Sequence, residues 1–231
     1  MSYILASYPR SGNTWVRYII EWFSGRSTLG VNTVLNSVGN PIKGSPTDYP
    51  ILGRLGESYI NNKPIAIKRH LVDDLINGET NKNILLVIRN YKEVVLKHGV
   101  GSIDNKNIFE RHMNFYMEMI RFYNEKFTKR KEIIYYEDLM TKNELTIKRI
   151  LKFMKIYNEH KLRTFISNFK NHKNKSIKLY DKHMGGSTTM GNETIFYSKQ
   201  LSKKQKVEWD SYVKSKWPIL FNKYLKRYEE K

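Results

Sequence analysis

Apolar residues along the first 155 positions fall into short runs with readable periods, separated by polar turns. Tyr3-Ile4-Leu5-Ala6 predicts a strand over 3–8, and a compact polar loop from Pro9 to Asn13 follows it. From about Thr14 to Ser24 the spacing becomes helical. Trp15, Ile19 and Trp22 form one row, Val16, Ile20 and Phe23 a second, and Gly25 is a ready stop. "KPIAIKRH" is a short β-like run that ends in charge. Ile84 to Ile88 is apolar without a break, as expected of a strand buried on both faces of a parallel sheet. "KEIIYYED" predicts a further strand. Thr141 and Glu144 in "TKNE" have the pattern of a capping box opening the helix that carries Leu145, Ile150, Leu151 and Met154. Ser202 and Gln205 in "SKKQ" repeat it for the last helical region. Residues 26–60 and 170–198 are polar and contain many turn formers, so both read as long loops. Strands alternating with helices, with no repeat and no composition break, imply one α/β domain over 1–231. Its central parallel sheet is flanked by helices, and functional residues are expected at the carboxyl ends of the strands.

Composition narrows the classes of function. A 231-residue chain with 40% hydrophobic and 13% aromatic residues can bury a substantial core. Cysteine is absent, which excludes a disulfide scaffold, a thiolate nucleophile and cysteine-ligated zinc. No apolar run approaches the ~18 residues that span a bilayer. The first strand begins so early that no leader is expected, and the expectation is a soluble, cytoplasmic protein. The net charge of +19 is uneven: residues 1–115 carry 14 Lys/Arg against 9 Asp/Glu, residues 116–231 carry 27 against 13. Solvated lysine faces account for such an excess, and so would attraction for a polyanion or a highly charged small ligand.

The turn "YPRSGNTW" then acquires chemical meaning. It lacks the G-x-x-x-x-G-K-[ST] of a nucleotide triphosphatase and the G-x-G-x-x-G of a dinucleotide fold. The physical ingredients of an anion site are nevertheless present. Gly12 permits a tight turn, the amides of Ser11 to Thr14 open a helix, Arg10 adds charge, and the Ser11 and Thr14 hydroxyls add donors.

The same stretch resembles the Y-P-K/R-S-G-T/N-T-W loop of sulfotransferases that use 3′-phosphoadenosine 5′-phosphosulfate (PAPS). "RNYKEVVLKHG" is similar to the family's R-N-P-K-D-V element, "IIYYEDL" to its strand ending in Y-E-D, and Lys68-Arg69-His70 to its K-T-H. These occur in family order over about two-thirds of the chain. The resemblance implies a P-loop-like sulfotransferase fold and PAPS as sulfonate donor, with no metal required. It implies that Arg10, Ser11, Gly12, Asn13 and Thr14 hold the 5′-phosphosulfate, with Trp15 near the adenine. Arg89 would hold the 3′-phosphate, Tyr136 would contact the adenine region, His70 would be the general base, and Lys68 would lie close to the transferring group.

The departures from the family pattern are specific. Arg10 replaces the common lysine, Tyr91 replaces a proline, and Lys97 stands where the family has a serine that meets the 3′-phosphate. The late R-K-G-x-x-G element is not recognisable; Lys182 and Gly185 in "DKHMGGSTTMG" are its stand-ins.

Sulfonyl transfer asks mainly for positioning and charge stabilisation, and a sulfonate carries less charge than a terminal phosphate. Histidine titrates near neutrality and suits proton removal from an acceptor hydroxyl or amine. The individual residues also have plain structural readings: Trp15 and Tyr136 as core, Arg89 as a strand-end ion pair, His98 as a structural residue, and Glu137 with Asp138 as a salt-bridged helix start. Two other functions fit the composition: a basic nucleic-acid-binding protein, or a kinase with a degenerate phosphate loop. The first lacks any helix-turn-helix, zinc-finger or RNP pattern, the second a G-K-[ST]. A sugar hydroxyl, lipid head group, peptide or small metabolite all stay open as acceptor, as does the oligomeric state.

Overall fold

The computed structural model describes residues 3–29, 64–70, 79–98, 106–183 and 197–230. Five parallel strands form one sheet in the order β2-β3-β1-β4-β5. They are β1 Tyr3–Ser7, β2 Thr28–Leu29, β3 Ala66–Arg69, β4 Asn83–Ile88 and β5 Lys131–Tyr135. The helices are α1 Asn13–Ser24, α2 Tyr91–His98, α3 Lys106–Lys126, α4 Tyr136–Thr141, α5 Asn143–Phe153, α6 Glu159–Ser167, α7 Phe169–His183 and α8 Lys203–Lys216. A run of short turns from Pro218 to Tyr228 follows α8.

Alternation along the strands divides the interior into two cores. Ile4, Ala6, Ile84, Leu86 and Ile88 face α2, α3 and the C-terminal segment. Tyr3, Leu5, Leu85 and Val87 face α1, α4, α5 and α6. An apolar run buried on both sides is what a central parallel strand requires, and β4 is buried along its whole length. A buried polar tie fastens α1 to β2. Arg17 Nε donates to Thr28 Oγ1 at 2.7 Å, and the Thr28 amide donates to Glu21 Oε1 at 2.8 Å.

The chain order creates a switch point. The connection from β1 runs through α1 toward β2 on one side, while that from β4 runs through α2 and α3 toward β5 on the other. Adjacent strands whose connections diverge leave a crevice at their carboxyl ends, here between β1 and β4.

Capping signals give mixed results. Gly25 ends α1 in the left-handed conformation with its N–H on Glu21 O. Ser202 and Gln205 form the reciprocal capping box of α8. Thr141 caps nothing: α4 and α5 are separate helices, α5 starts from Lys142, and the Thr141 hydroxyl donates back to Glu137 O. The loop expected over 170–198 is corrected as well. Residues 170–183 belong to α7, because Phe165, Phe169 and His172 dock on the aromatic face of α1. Most of the 26–60 stretch, from 30 on, lies outside the described residues.

Candidate active site

In-register pairing decides which residues meet. Ala6 lies opposite Arg69, Ser7 opposite Val87, and Ile88 opposite Tyr135. One step past each strand, the β1–α1 turn, His70, Arg89 and Tyr136 therefore form a single row across the carboxyl edge of the sheet.

The turn after β1 is tightly wound. Ser11 N donates to Tyr8 O at 3.2 Å, and Trp15 N and Val16 N both reach Gly12 O, at 3.0 and 3.2 Å. Arg10 and Gly12 have φ of 69° and 87°. Left-handed residues in such a turn are the geometry in which successive amides make an anion-binding concavity. For a non-glycine residue the conformation costs free energy, and such costs concentrate at functional sites. Gly12 is required for a second reason. A Cβ there would lie 2.2 Å from Tyr136 Cδ2, so the tyrosine ring sits directly on the glycine backbone.

The Ser11 side chain is fully buried and its Oγ has no partner among the described residues. A buried hydroxyl left unsatisfied costs roughly 1–3 kcal/mol, and a ligand atom in the turn would relieve it. Asn13 turns inward, donating from Nδ2 to Ser7 Oγ at 2.7 Å, while Thr14 is half-buried. Trp15 is buried, stacked against Tyr18 and Phe165 and edge-on to Phe169.

Arg89 extends from β4 into this turn. Its Nη1 donates to Arg10 O at 3.1 Å, and its guanidinium lies 4.6 Å from the Tyr136 ring centroid. Its own carbonyl is pinned by the Tyr116 hydroxyl at 2.7 Å. The loop and the strand-end arginine thus share one cleft, with Tyr136 packed against both.

Lys97 lies in the last turn of α2. Burial holds its ammonium below the ordinary lysine range, and Arg89 and Arg10 depress it further, with Glu93 opposing. Glu93 also accepts from the backbone N–H of Ser198 at 3.1 Å and from its hydroxyl. Lys173 on α7 is depressed too, by burial and then by Arg89. Like charges are thus gathered around Arg89.

His70 follows β3, and its Nδ1 lies 2.9 Å from Ser7 O. A carbonyl can only accept, so Nδ1 carries the hydrogen and Nε2 presents the lone pair of the neutral ring. Lys68 shares a strand face with His70 by the two-residue period. Arg69 points the other way and is held by Glu79 through Nε–Oε2 at 3.0 Å and Nη2–Oε1 at 2.8 Å.

A second group of rings borders the turn: Tyr8 OH meets His112 Nδ1 at 2.6 Å, and His98 packs on both rings. Burial lowers both histidines, with His112 and Arg10 adding to the effect on His98 and Arg111 to that on His112.

The C-terminal segment closes behind α2 and α4. Arg227 binds Asp138 bidentately at 2.7 and 2.9 Å. Tyr228 OH donates to Glu137 at 2.6 Å, and the same carboxylate takes the Asn90 amide at 2.9 Å. Glu137 and Asp138 therefore serve helix start and salt bridging. Lys92 Nζ lies 2.6 Å from both Asp210 Oδ1 and Tyr228 O.

The structure brings Arg10, Ser11, Gly12, Arg89 and Tyr136 into contact and sets Lys97 and His70 at the border of the same cleft. Of Lys182 only helical backbone is described, and Gly185 lies outside the described residues. Lys173 was not legible in the sequence, since it sits in a lysine- and asparagine-rich stretch without a sharp apolar period. Its one signal is the spacing from Phe169.

No known family model and no curated protein sequence matches the chain. Solved structures do. Mouse sulfotransferase SULT7A1 complexed with PAP is similar at 17% identity, covering 98% of this chain and 87% of the other, with a TM-score of 0.58. Retinol dehydratase in complex with androsterone and inactive cofactor PAP is similar at 14% identity, covering 93% and 80%, with a TM-score of 0.61. Its complex with retinol and PAP gives 13% identity, the same coverage and the same score. The chain has the P-loop-like α/β fold of these proteins.

Proposed function

We propose that this protein is a sulfotransferase that moves a sulfonate group from PAPS to a hydroxyl or amine of an acceptor. The observation that carries the reading is the shared cleft, in which Arg89 touches the carbonyl of Arg10 beneath Tyr136. The similar solved structures bind PAP, the donor's product form. The residues present fit such a ligand: an unsatisfied buried hydroxyl at Ser11, a helix N-terminus, and half-buried cations set against one another.

Arg10 and the Ser11–Thr14 amides would grip the 5′-phosphosulfate, and Arg89 with Lys97 the 3′-phosphate, which the two separated charge centres require. The bound donor supplies the sulfonate. Loop amides and Arg10 are aimed where charge collects on the departing 5′-phosphate, so they favour the transition state over the ground state. Lys68 lies on the strand face of His70 and adds charge near the transferring group. The Ser7 carbonyl holds His70 in the tautomer whose Nε2 accepts the acceptor's proton as the new S–O or S–N bond forms.

Adenosine 3′,5′-bisphosphate should raise the melting temperature clearly more than ATP. At one hundred times its dissociation constant the expected stabilisation is about 2.7 kcal/mol. Equal effects of the two nucleotides would remove the main support for the reading. His70→Ala should lower turnover of a labelled sulfonate donor by roughly 10²–10⁴-fold with bisphosphate affinity unchanged. Full activity in that variant would end the assignment of the base.

A further inference from the structure

We infer that Tyr116 of α3 and Glu137 of α4 are positioning residues for Arg89: together they clamp the peptide joining Arg89 to Asn90 and so aim the guanidinium into the cleft. The assignment rests on the sulfotransferase reading and deepens it.

The place of that peptide is the first ground. The β4–β5 ladder ends with Ile88 opposite Tyr135, and α2 begins at Tyr91. The Arg89 carbonyl and the Asn90 N–H therefore lie past the ladder and ahead of the helical hydrogen bonds, where a backbone has no regular partner. Both are nevertheless held by side chains. Tyr116 OH donates to Arg89 O at 2.7 Å, and Asn90 N donates to Glu137 Oε1 at 2.9 Å. With β4 fixing the chain before it, a planar peptide held at both ends sets the direction in which the Arg89 side chain leaves the backbone.

The second ground is that each clamp is itself held. Tyr116 is buried, with the rings of Tyr8 and Tyr91 at 5.4 and 6.5 Å. Burial, and then the Glu137 charge, push its phenol well above the ordinary tyrosine value, so the hydroxyl stays a donor. Tyr228 OH donates to Glu137 Oε2 at 2.6 Å and fixes the carboxylate. The neighbouring Asp138 is engaged by Arg227, whereas the side-chain partners of Glu137 among the described residues are a backbone amide and a phenol. A carboxylate given to neutral donors is placed for the geometry of the amide, not for ion pairing.

Chain order adds a third ground. Glu137 directly follows Tyr136, whose ring sits on the Gly12 backbone and 4.6 Å from the Arg89 guanidinium. One carboxylate thus ties the backbone of the ring to the backbone of the arginine, and their spacing is set before any ligand enters.

The test is a double-mutant cycle read by calorimetric titration with adenosine 3′,5′-bisphosphate and with adenosine 5′-phosphate, which lacks the 3′-group. Tyr116→Phe keeps the buried ring and removes the clamp on the Arg89 carbonyl; Glu137→Ala removes the one on the Asn90 amide. Each should weaken the bisphosphate roughly three- to tenfold and leave the monophosphate within about twofold. In an Arg89→Ala background neither should weaken the bisphosphate by more than about twofold, because the group they aim is gone. Glu137→Gln still offers an oxygen to the Asn90 amide and should keep most of the bisphosphate affinity. Losses that persist undiminished without the arginine, or no loss from either substitution, would overturn the assignment. Tyr116→Phe decides the question alone if Glu137→Ala fails to fold. A wild-type protein that does not prefer the bisphosphate would instead overturn the underlying functional reading, so the two failures are distinguishable.

Discussion

Arg89 and Lys92 are three residues apart, both nearly excluded from water, and their surroundings are opposite in character. Lys92 enters a neutralised cluster. Asp210 meets it at 2.6 Å, Tyr91 donates to the same carboxylate, the Glu230 amide takes the other oxygen at 2.7 Å, and Arg227 pairs with Asp138 nearby. Arg89 instead meets the Arg10 carbonyl and the Tyr136 ring, and its charge adds to burial in holding Lys97 and Lys173 below the ordinary lysine range. Paired buried charges hold the C-terminal segment against α2 and α4. Around Arg89 burial and like charge depress the neighbouring lysines, with Glu93 opposing at Lys97, so an anion entering there would be favoured. The difference separates a neutralised structural cluster from one that an anion would neutralise.

The largest expected effect tests the structural side. Asp210→Ala leaves Lys92 buried beside Tyr228 without its counter-ion, at a cost of about 3–5 kcal/mol. For a chain of this size that lowers the melting temperature by roughly 10 °C. Arg89→Ala should destabilise the ligand-free protein much less, yet weaken adenosine 3′,5′-bisphosphate roughly ten- to a hundredfold. If Arg89→Ala unfolds the protein as severely as Asp210→Ala and spares binding, the two clusters do not differ in kind.

A smaller effect sharpens the same contrast through pH. Lys97 is held below the usual 10.5 in the free protein, and a phosphate beside Arg89 would favour its protonated form. Binding must then take up protons, and affinity must fall as pH rises through the depressed value toward 10.5. Titrations at about pH 9 in buffers of differing ionisation enthalpy should register fractional proton uptake. Zero uptake would mean that Lys97 does not meet the ligand.

Much of this was legible before any coordinates. The unbroken apolar run at 84–88 could only be a strand covered on both faces. The helical rows from Trp15 to Phe23 could only be one side of a packed helix, and Gly25 and the Ser202–Gln205 pair mark helix ends by chemistry local to a few residues. Local signals fail where two meanings share one pattern. "TKNE" carries the letters of a capping box, but the adjacent Y-E-D segment had already started α4, so Thr141 falls at a helix end. Residues 169–183 look like loop because their apolar side chains are few. They become helical through aromatic docking on α1, a long-range contact that propensity does not encode.

Sequence alone therefore determined the alternating α/β pattern, the tight polar turn at a helix start and the likeness of four short motifs to sulfotransferase elements, because each depends on neighbours within a few positions. Tertiary structure decided that Arg10, Arg89 and Tyr136 touch, that the Ser7 carbonyl orients His70, and that α7 docks on α1. Those meetings follow from parallel register across β3, β1, β4 and β5 and from the docking of α7, and no short stretch of chain contains both partners of any of them.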